Sequence, residues 1–208
     1  MSEHYFSASP HSKENTQLIT TRIGFFEMKF LTDAGVFSKH RVDFGSRVLV
    51  ESFLDSIDYK VFKGESIKVL ELGSGYGPIL LSLAKALPSA KLSGLELNQR
   101  AVALSIQNAL LNHVTNVSFE SMDVCQLNLT DNYDLIFTNP PIRAGKQVVH
   151  TFVDKAINGL KNGGQLWLVI QKKQGAPSLV SYMKEQFSQV ERVNLEKGYW
   201  VIKAEKSN

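Results

Sequence analysis

Apolar residues change rhythm near residue 67 of this 208-residue chain. Residues 1 to about 20 are polar, with Ser9-Pro10-His11-Ser12 and Lys13-Glu14-Asn15, and read as a loop or arm. Next, 25–31 has the aromatic content of a strand, and Thr32-Asp33-Ala34-Gly35 supplies a turn. Asp43 can cap a helix over 44–57, where Val48, Leu49, Phe53 and Ile57 keep helical spacing. Beyond 67, short apolar runs at 67–72, 91–95, 117–122, 135–138 and 165–170 read as strands. Helical stretches at about 78–87, 99–112 and 147–161 separate them, and another follows near 176–187. Runs at 190–195 and 199–204 flank Glu196-Lys197-Gly198 as a hairpin. Such alternation predicts an α/β fold: a doubly wound, mostly parallel sheet with helices on both faces.

In a doubly wound sheet, ligands bind beyond the carboxyl ends of the strands. Gly73, Gly75 and Gly77 occupy such a place, after the first strand of the series. Their spacing is G-x-G-x-G, not the dinucleotide fingerprint, and Pro78 starts a helix at once. That leaves less room for a pyrophosphate over the helix N-terminus. Glu96 ends the second strand, where a carboxylate can accept hydrogen bonds from both hydroxyls of a ribose. Asp123 follows the third strand and is placed to meet an adenine amine. Taken singly, the glycines read as a structural turn and both acids as solvated; their common location favours a nucleotide-type site.

Asn139-Pro140-Pro141-Ile142 follows the fourth strand. An amine on an aromatic base or in an amide is a poor nucleophile because its lone pair is delocalised. The side-chain carbonyl of Asn139 and the backbone carbonyl of Pro140 can each accept one of its N–H bonds, which favours localising that lone pair. Two prolines hold the acceptors in place. The plainer alternative is an Asn-Pro turn ending a strand.

Composition narrows the setting. Hydrophobic residues make up 43% and charged residues 21%, ordinary for a globular chain, and the net charge is +3. Cys125 is the one cysteine, and no Cys/His cluster has zinc spacing, so neither an internal disulfide nor a metal site is expected. The N-terminus lacks a signal pattern, and no apolar run approaches roughly 18 residues, so a cytoplasmic protein off the membrane is expected. Lys39, Arg41, Arg143, Lys146, Lys172 and Lys173 are candidate phosphate contacts around the mouth of the site. They read equally well as a solvated basic rim.

With these motifs in this order, the chain resembles the class I S-adenosylmethionine-dependent methyltransferases over residues 20–204. Within them it is similar to the small-methyltransferase group, typified by guanine-N2 methyltransferases of bacterial small-subunit ribosomal RNA. The motifs are Glu71–Gly77, Glu96, Asp123 and Asn139–Ile142, with Gly35-Val36-Phe37-Ser38 and Val42-Asp43-Phe44-Gly45-Ser46 upstream. The resemblance implies a Rossmann-like seven-stranded core over 61–208 and a short N-terminal β/α extension over 1–60. It implies S-adenosylmethionine as cofactor, held by Phe37, Glu71, Gly73, Ser74, Gly75, Gly77, Glu96, Leu97, Asn98, Asp123, Val124 and Asn139. Asn139, Pro140, Pro141 and Ile142 then form the acceptor site, with ribosomal RNA or the small ribosomal subunit as partner. Two departures stand out. Related enzymes often carry an aromatic where Ile142 lies, and the familiar guanine enzyme has a preceding domain. Adenine N6 and a protein glutamine amide suit the same motif. A non-catalytic RNA-binding assembly factor would lose the motifs, and a nicotinamide oxidoreductase would need the third fingerprint glycine.

Overall fold

The computed structural model describes residues 15–130 and 132–207. Strands β3 (Lys68–Leu72), β4 (Lys91–Glu96), β5 (Val117–Ser121), β6 (Tyr133–Thr138) and β7 (Leu160–Gln171) run parallel. With the hairpin of β8 (Gln189–Glu196) and β9 (Tyr199–Glu205), they form a seven-stranded sheet in the order β5-β4-β3-β6-β7-β9-β8. β9 pairs antiparallel with both β7 and β8. The order reverses between β3 and β6, so the clefts after these two strands open side by side.

Period-two alternation divides the apolar strands between two faces. Val69, Leu135, Phe137, Trp167, Val169 and Val201 meet α1 (Phe44–Leu54), α3 (Pro78–Ala86) and α4 (Gln99–Leu111). Leu70, Leu72, Ile136, Leu168, Ile170 and Ile202 meet α5 (Lys146–Gly159) and α6 (Ala176–Lys184). Phe53 of α1 stands edge-on to Phe137 (5.1 Å) and Trp167 (5.2 Å), which fixes that helix on the sheet.

Three boundaries depart from the sequence reading. Residues 17–20, expected as loop, belong to β1 (Gln17–Ile23), which pairs antiparallel with β2 (Phe26–Thr32) around a Gly24-Phe25 turn. The part of the expected arm over residues 1–14 lies outside the described residues. The helix expected over 44–57 stops at Leu54, because Ser56 caps a new short helix, α2 (Ile57–Phe62), by accepting from Tyr59 N. The helix expected over 147–161 ends at Gly159, and β7 begins there, carrying Gly163 and Gly164 within it.

The β1–β2 hairpin is fastened to α4 by two buried asparagines one helical turn apart. Asn108 accepts from Leu31 N (2.6 Å) and donates to Leu31 O and Tyr76 O (3.0 Å each). Asn112 accepts from Lys29 N (3.1 Å) and donates to Lys29 O (2.6 Å). Two side chains thus complete the outer edge of β2 as a neighbouring strand would. Asn108→Leu should cost about 2–3 kcal/mol, since three backbone groups lose partners, and Asn112→Ala about 1–2 kcal/mol. Urea midpoints and amide exchange at Lys29 and Leu31 measure both; unchanged exchange would show that the hairpin does not need the clamp.

Candidate active site

β3 runs into the glycine turn at the carboxyl end of the sheet. Gly73 N and Ser74 N both donate to Leu95 O (2.8 and 3.0 Å), which ties the turn to the end of β4. Gly75 and Gly77 sit at φ +54° and +95°, backbone that L side chains rarely adopt. Nothing lies within 4 Å of where a Gly75 Cβ would stand, so the turn faces open space. Gly77 then leads into Pro78, the first residue of α3. Glu96 spans the neighbouring turns: one carboxylate oxygen accepts from Gly75 N and the other from Asn98 N, both at 2.9 Å. Burial raises its pKa, and the backbone donors offset part of that rise.

The space beyond the turn is a small cleft, partly open to solvent, between the glycines and the start of α1. Phe37, Glu71, Gly73, Ser74, Gly75 and Asn139, all expected at the site, line it together. Glu71 occupies an inward position of β3 that the strand pattern otherwise gives to apolar residues, and it is 1% exposed. One of its oxygens accepts from Leu80 N at 3.1 Å, and no cation pairs with it among the described residues. Burial therefore pushes its pKa well above the ordinary carboxylate range, and the charge on Glu96 adds to that. Ser74 Oγ is buried beside it without a hydrogen-bond partner. An unpartnered hydroxyl and a buried acid lacking a cation fit a ligand that brings polar atoms and positive charge.

Across the cleft, Asn139 sits just past β6. Its side-chain nitrogen donates to Asp43 Oδ2 (2.9 Å) and Ser46 Oγ (3.0 Å). The same Asp43 oxygen caps α1 by accepting from Ser46 N (3.0 Å). With the amide nitrogen held this way, the Asn139 carbonyl oxygen is left to accept from a ligand. The Pro140 carbonyl already accepts from Ile142 N at 2.8 Å and keeps a second lone pair. Tyr76 is buried nearby; burial and the charge of Asp43 push its phenol up, so it stays neutral.

The remaining expected residues share this end of the sheet without lining the cleft. Leu97 and Asn98 follow β4, and the Asn98 side chain is committed to the α4 cap and to Gly35 O (2.9 Å). Asp123 and Val124 follow β5, where Asp123 accepts from Cys125 N (2.9 Å). Pro140, Pro141, Ile142, Arg143 and Lys146 continue from β6 into α5, and Lys172 and Lys173 follow β7. Lys39 and Arg41 line a second, solvent-open hollow over 34–41. No group of three or more His, Cys, Asp or Glu gathers to hold a metal among the described residues. Sequence reasoning took Asp43 as a helix cap and set it and Ser46 in the upstream motif and Tyr76 in the glycine motif, but gave none of the three an individual role at the site. The Asp43–Asn139 contact joins residues 96 positions apart, which no local pattern signals.

Comparison with known proteins gives the arrangement a family. The chain is 45% identical over 207 residues to the YbxB protein of Bacillus subtilis strain 168, covering 99% of this chain and all of that one. It is 27% identical to the T. thermophilus 16S rRNA N2 G1207 methyltransferase RsmC, solved with AdoMet and guanosine, with a TM-score of 0.81. That match covers 95% of this chain and 52% of that one, so the chain spans about half of its length. A release factor glutamine methyltransferase of Fusobacterium nucleatum is 40% identical over 78 residues, covering 37% of this chain and 22% of the relative. Residues 27–203 match the methyltransferase small domain, and the chain belongs to that family.

Proposed function

We propose that this chain methylates the exocyclic N2 amine of a guanine in small-subunit ribosomal RNA. S-adenosylmethionine is the cofactor; when bound, it supplies an electrophilic methyl group on a sulfonium. Its positive charge and amino-acid end suit the buried, unpaired Glu71 and the unpartnered Ser74 hydroxyl. Glu96, held rigid by two backbone N–H groups, keeps lone pairs for ribose hydroxyls. The turn at Gly73 and Gly75 lets the ligand approach the backbone.

The observation that carries the reading is the tether on Asn139. Asp43 and Ser46 hold its amide nitrogen, so its carbonyl oxygen and that of Pro140 form a pair of acceptors at the edge of the cofactor cleft. Such a pair orients a planar amine and localises its lone pair, while Ile142 and Pro141 give an apolar wall. Rate then comes from positioning rather than from an acid or base. The likeness to the T. thermophilus guanine-N2 enzyme supports the base and the position of the amine. A second reading, a glutamine side-chain amide, has the glutamine methyltransferase likeness and the non-aromatic Ile142 behind it.

Methyl transfer from labelled cofactor to ribosomal particles, naked ribosomal RNA and total protein, followed by nucleoside analysis, separates these acceptors. N2-methylguanosine in the small-subunit fraction is expected; label in N6-methyladenosine or in protein overturns the acceptor. Asn139→Ala should lower turnover by about a hundredfold or more while cofactor affinity by calorimetry stays nearly intact. Equal loss of both would remove the role given to Asn139.

Glu71 gives a pH prediction. Its folded pKa lies above its unfolded one, so the folded state binds the proton more tightly. Its contribution is most favourable below about pH 4.5 and is lost as pH rises through the folded value. Glu71→Gln should therefore raise the Tm of the ligand-free protein at neutral pH, by about 2–4 °C per kcal/mol relieved. The gain should shrink toward pH 4.5, and affinity for the cationic cofactor should fall. A neutral-pH Tm below wild type would show that the charge is stabilising instead.

A further inference from the structure

Beside the acceptor site, the first turn of α1, the turn after β7 and the β8–β9 turn meet. Lys172 N donates to Gly198 O (2.8 Å), which joins the last two. The Tyr199 ring lies 5.4 Å from the Phe44 ring and so close to α1 that a Cβ on Gly45 would stand 2.8 Å from it. Two cations share the half-buried Phe44 ring: Arg47 Cζ at 5.1 Å and Lys197 Nζ at 4.9 Å from its centroid.

Only one of these cations has an acidic partner among the described residues. Arg47 Nε is buried without a hydrogen bond and is ion-paired with Glu51 at 3.7 Å. No ion pair engages Lys172, Lys173 or Lys197 among the described residues, and all three are exposed. Two like charges on one ring repel each other, and an exposed cation–π contact is weak compensation. A phosphate would draw both away and leave the ring free to stack on a base.

We propose that Phe44, Arg47, Lys172, Lys173, Lys197 and Tyr199 form the docking surface for single-stranded RNA flanking the target nucleotide. The inference rests on the RNA reading given above and joins Lys172 and Lys173 to Phe44, Arg47, Lys197 and Tyr199, which that reading did not use. Phe44 follows Asp43, which holds Asn139, so this surface and the acceptor site share one helix turn. Basic heads around stackable rings bind unpaired strands, whose bases are splayed and free to stack; a protein substrate has no use for the phosphate contacts.

The test uses the full chain and a fluorescein-labelled single-stranded RNA of about 20 nucleotides, long enough to cover one such site. Fluorescence anisotropy over a salt series gives affinity and its salt slope. The triple variant K172Q/K173Q/K197N should weaken binding about tenfold or more, with the slope reduced by about 0.7 for each lost phosphate contact. Lys197 holds φ +47°, which asparagine accepts, so Lys197→Asn alone carries the same test at smaller amplitude without backbone strain. Phe44→Leu should lower affinity about fivefold and leave the slope unchanged, as loss of stacking predicts. Cofactor affinity, which none of these residues serves, reports that the variants are folded. Wild-type affinity and slope in the triple variant would overturn the proposal, as would a wild-type protein that binds no RNA. Binding is read without methyl transfer, so the two readings fail separately. RNA affinity lost in the variant, with label in N6-methyladenosine, leaves the docking surface standing and removes guanine. N2-methylguanosine formed with an unchanged KM for RNA in the variant does the reverse.

Discussion

One carboxylate oxygen, Asp43 Oδ2, organises the site. It closes the first turn of α1 through Ser46 N and takes the amide nitrogen of Asn139 from across the sheet. A free asparagine amide has no preference for which end faces a ligand. Here the donor end is tied down twice, at Asp43 and Ser46, and the acceptor end is what remains. Because α1 is itself fixed on the sheet by Phe53 against Phe137 and Trp167, the tether passes the rigidity of the core to the reacting edge. The two ends are coupled: a shift of α1 or of the β6 end breaks the bonds that pin Asn139.

Facing this tether is a deliberate conflict at Glu71. The strand pattern asks for an apolar residue there, and the carboxyl group is buried with a single backbone donor. Burial without a cation raises its pKa and disfavours the ligand-free fold at neutral pH. Under the proposed reading, a cationic ligand relieves that conflict, so part of its binding affinity comes from strain already present at Glu71. The glycine turn contributes the complementary condition, a backbone with nothing above Gly75 for a ligand to displace. Stability is lower at the place where binding must be selective.

The parallel core was legible because its signal is local and redundant. Continuous apolar runs, helical spacing and the glycine and proline punctuation all repeat within each strand–helix unit. β1 was hidden for the opposite reason. Gln17-Leu18-Ile19-Thr20-Thr21-Arg22-Ile23 alternates with weak apolar content, and only pairing with β2 makes it a strand. That hairpin is held by Asn108 and Asn112, which from sequence are two ordinary polar helix residues. Glu71 and Asn139 could be singled out by their chemistry within motifs, whereas Ser46 and Tyr76 lie in motifs too but carry no mark of the contacts they make. They gain their place from contacts made only after the chain has closed.

The same distinction bears on what this fold recognises. Motifs at strand ends describe a nucleotide-like cofactor site and, through Asn139-Pro140-Pro141-Ile142, an acceptor pair that suits a planar amine. Choice among planar amines depends on what surrounds the acceptor pair, and here the aromatic expected after the two prolines is Ile142. Stackable rings instead lie one step away, at Phe44 and Tyr199, on the helix that carries the Asn139 tether. Of the cations on the Phe44 ring, Arg47 pairs with Glu51, and Lys197 has no ion pair among the described residues. If the acceptor is a base in RNA, as proposed above, this placement moves recognition from the target base to its neighbours along a strand. Under that proposal, acceptors are distinguished less by clamping the reacting ring than by the phosphate chain beside it.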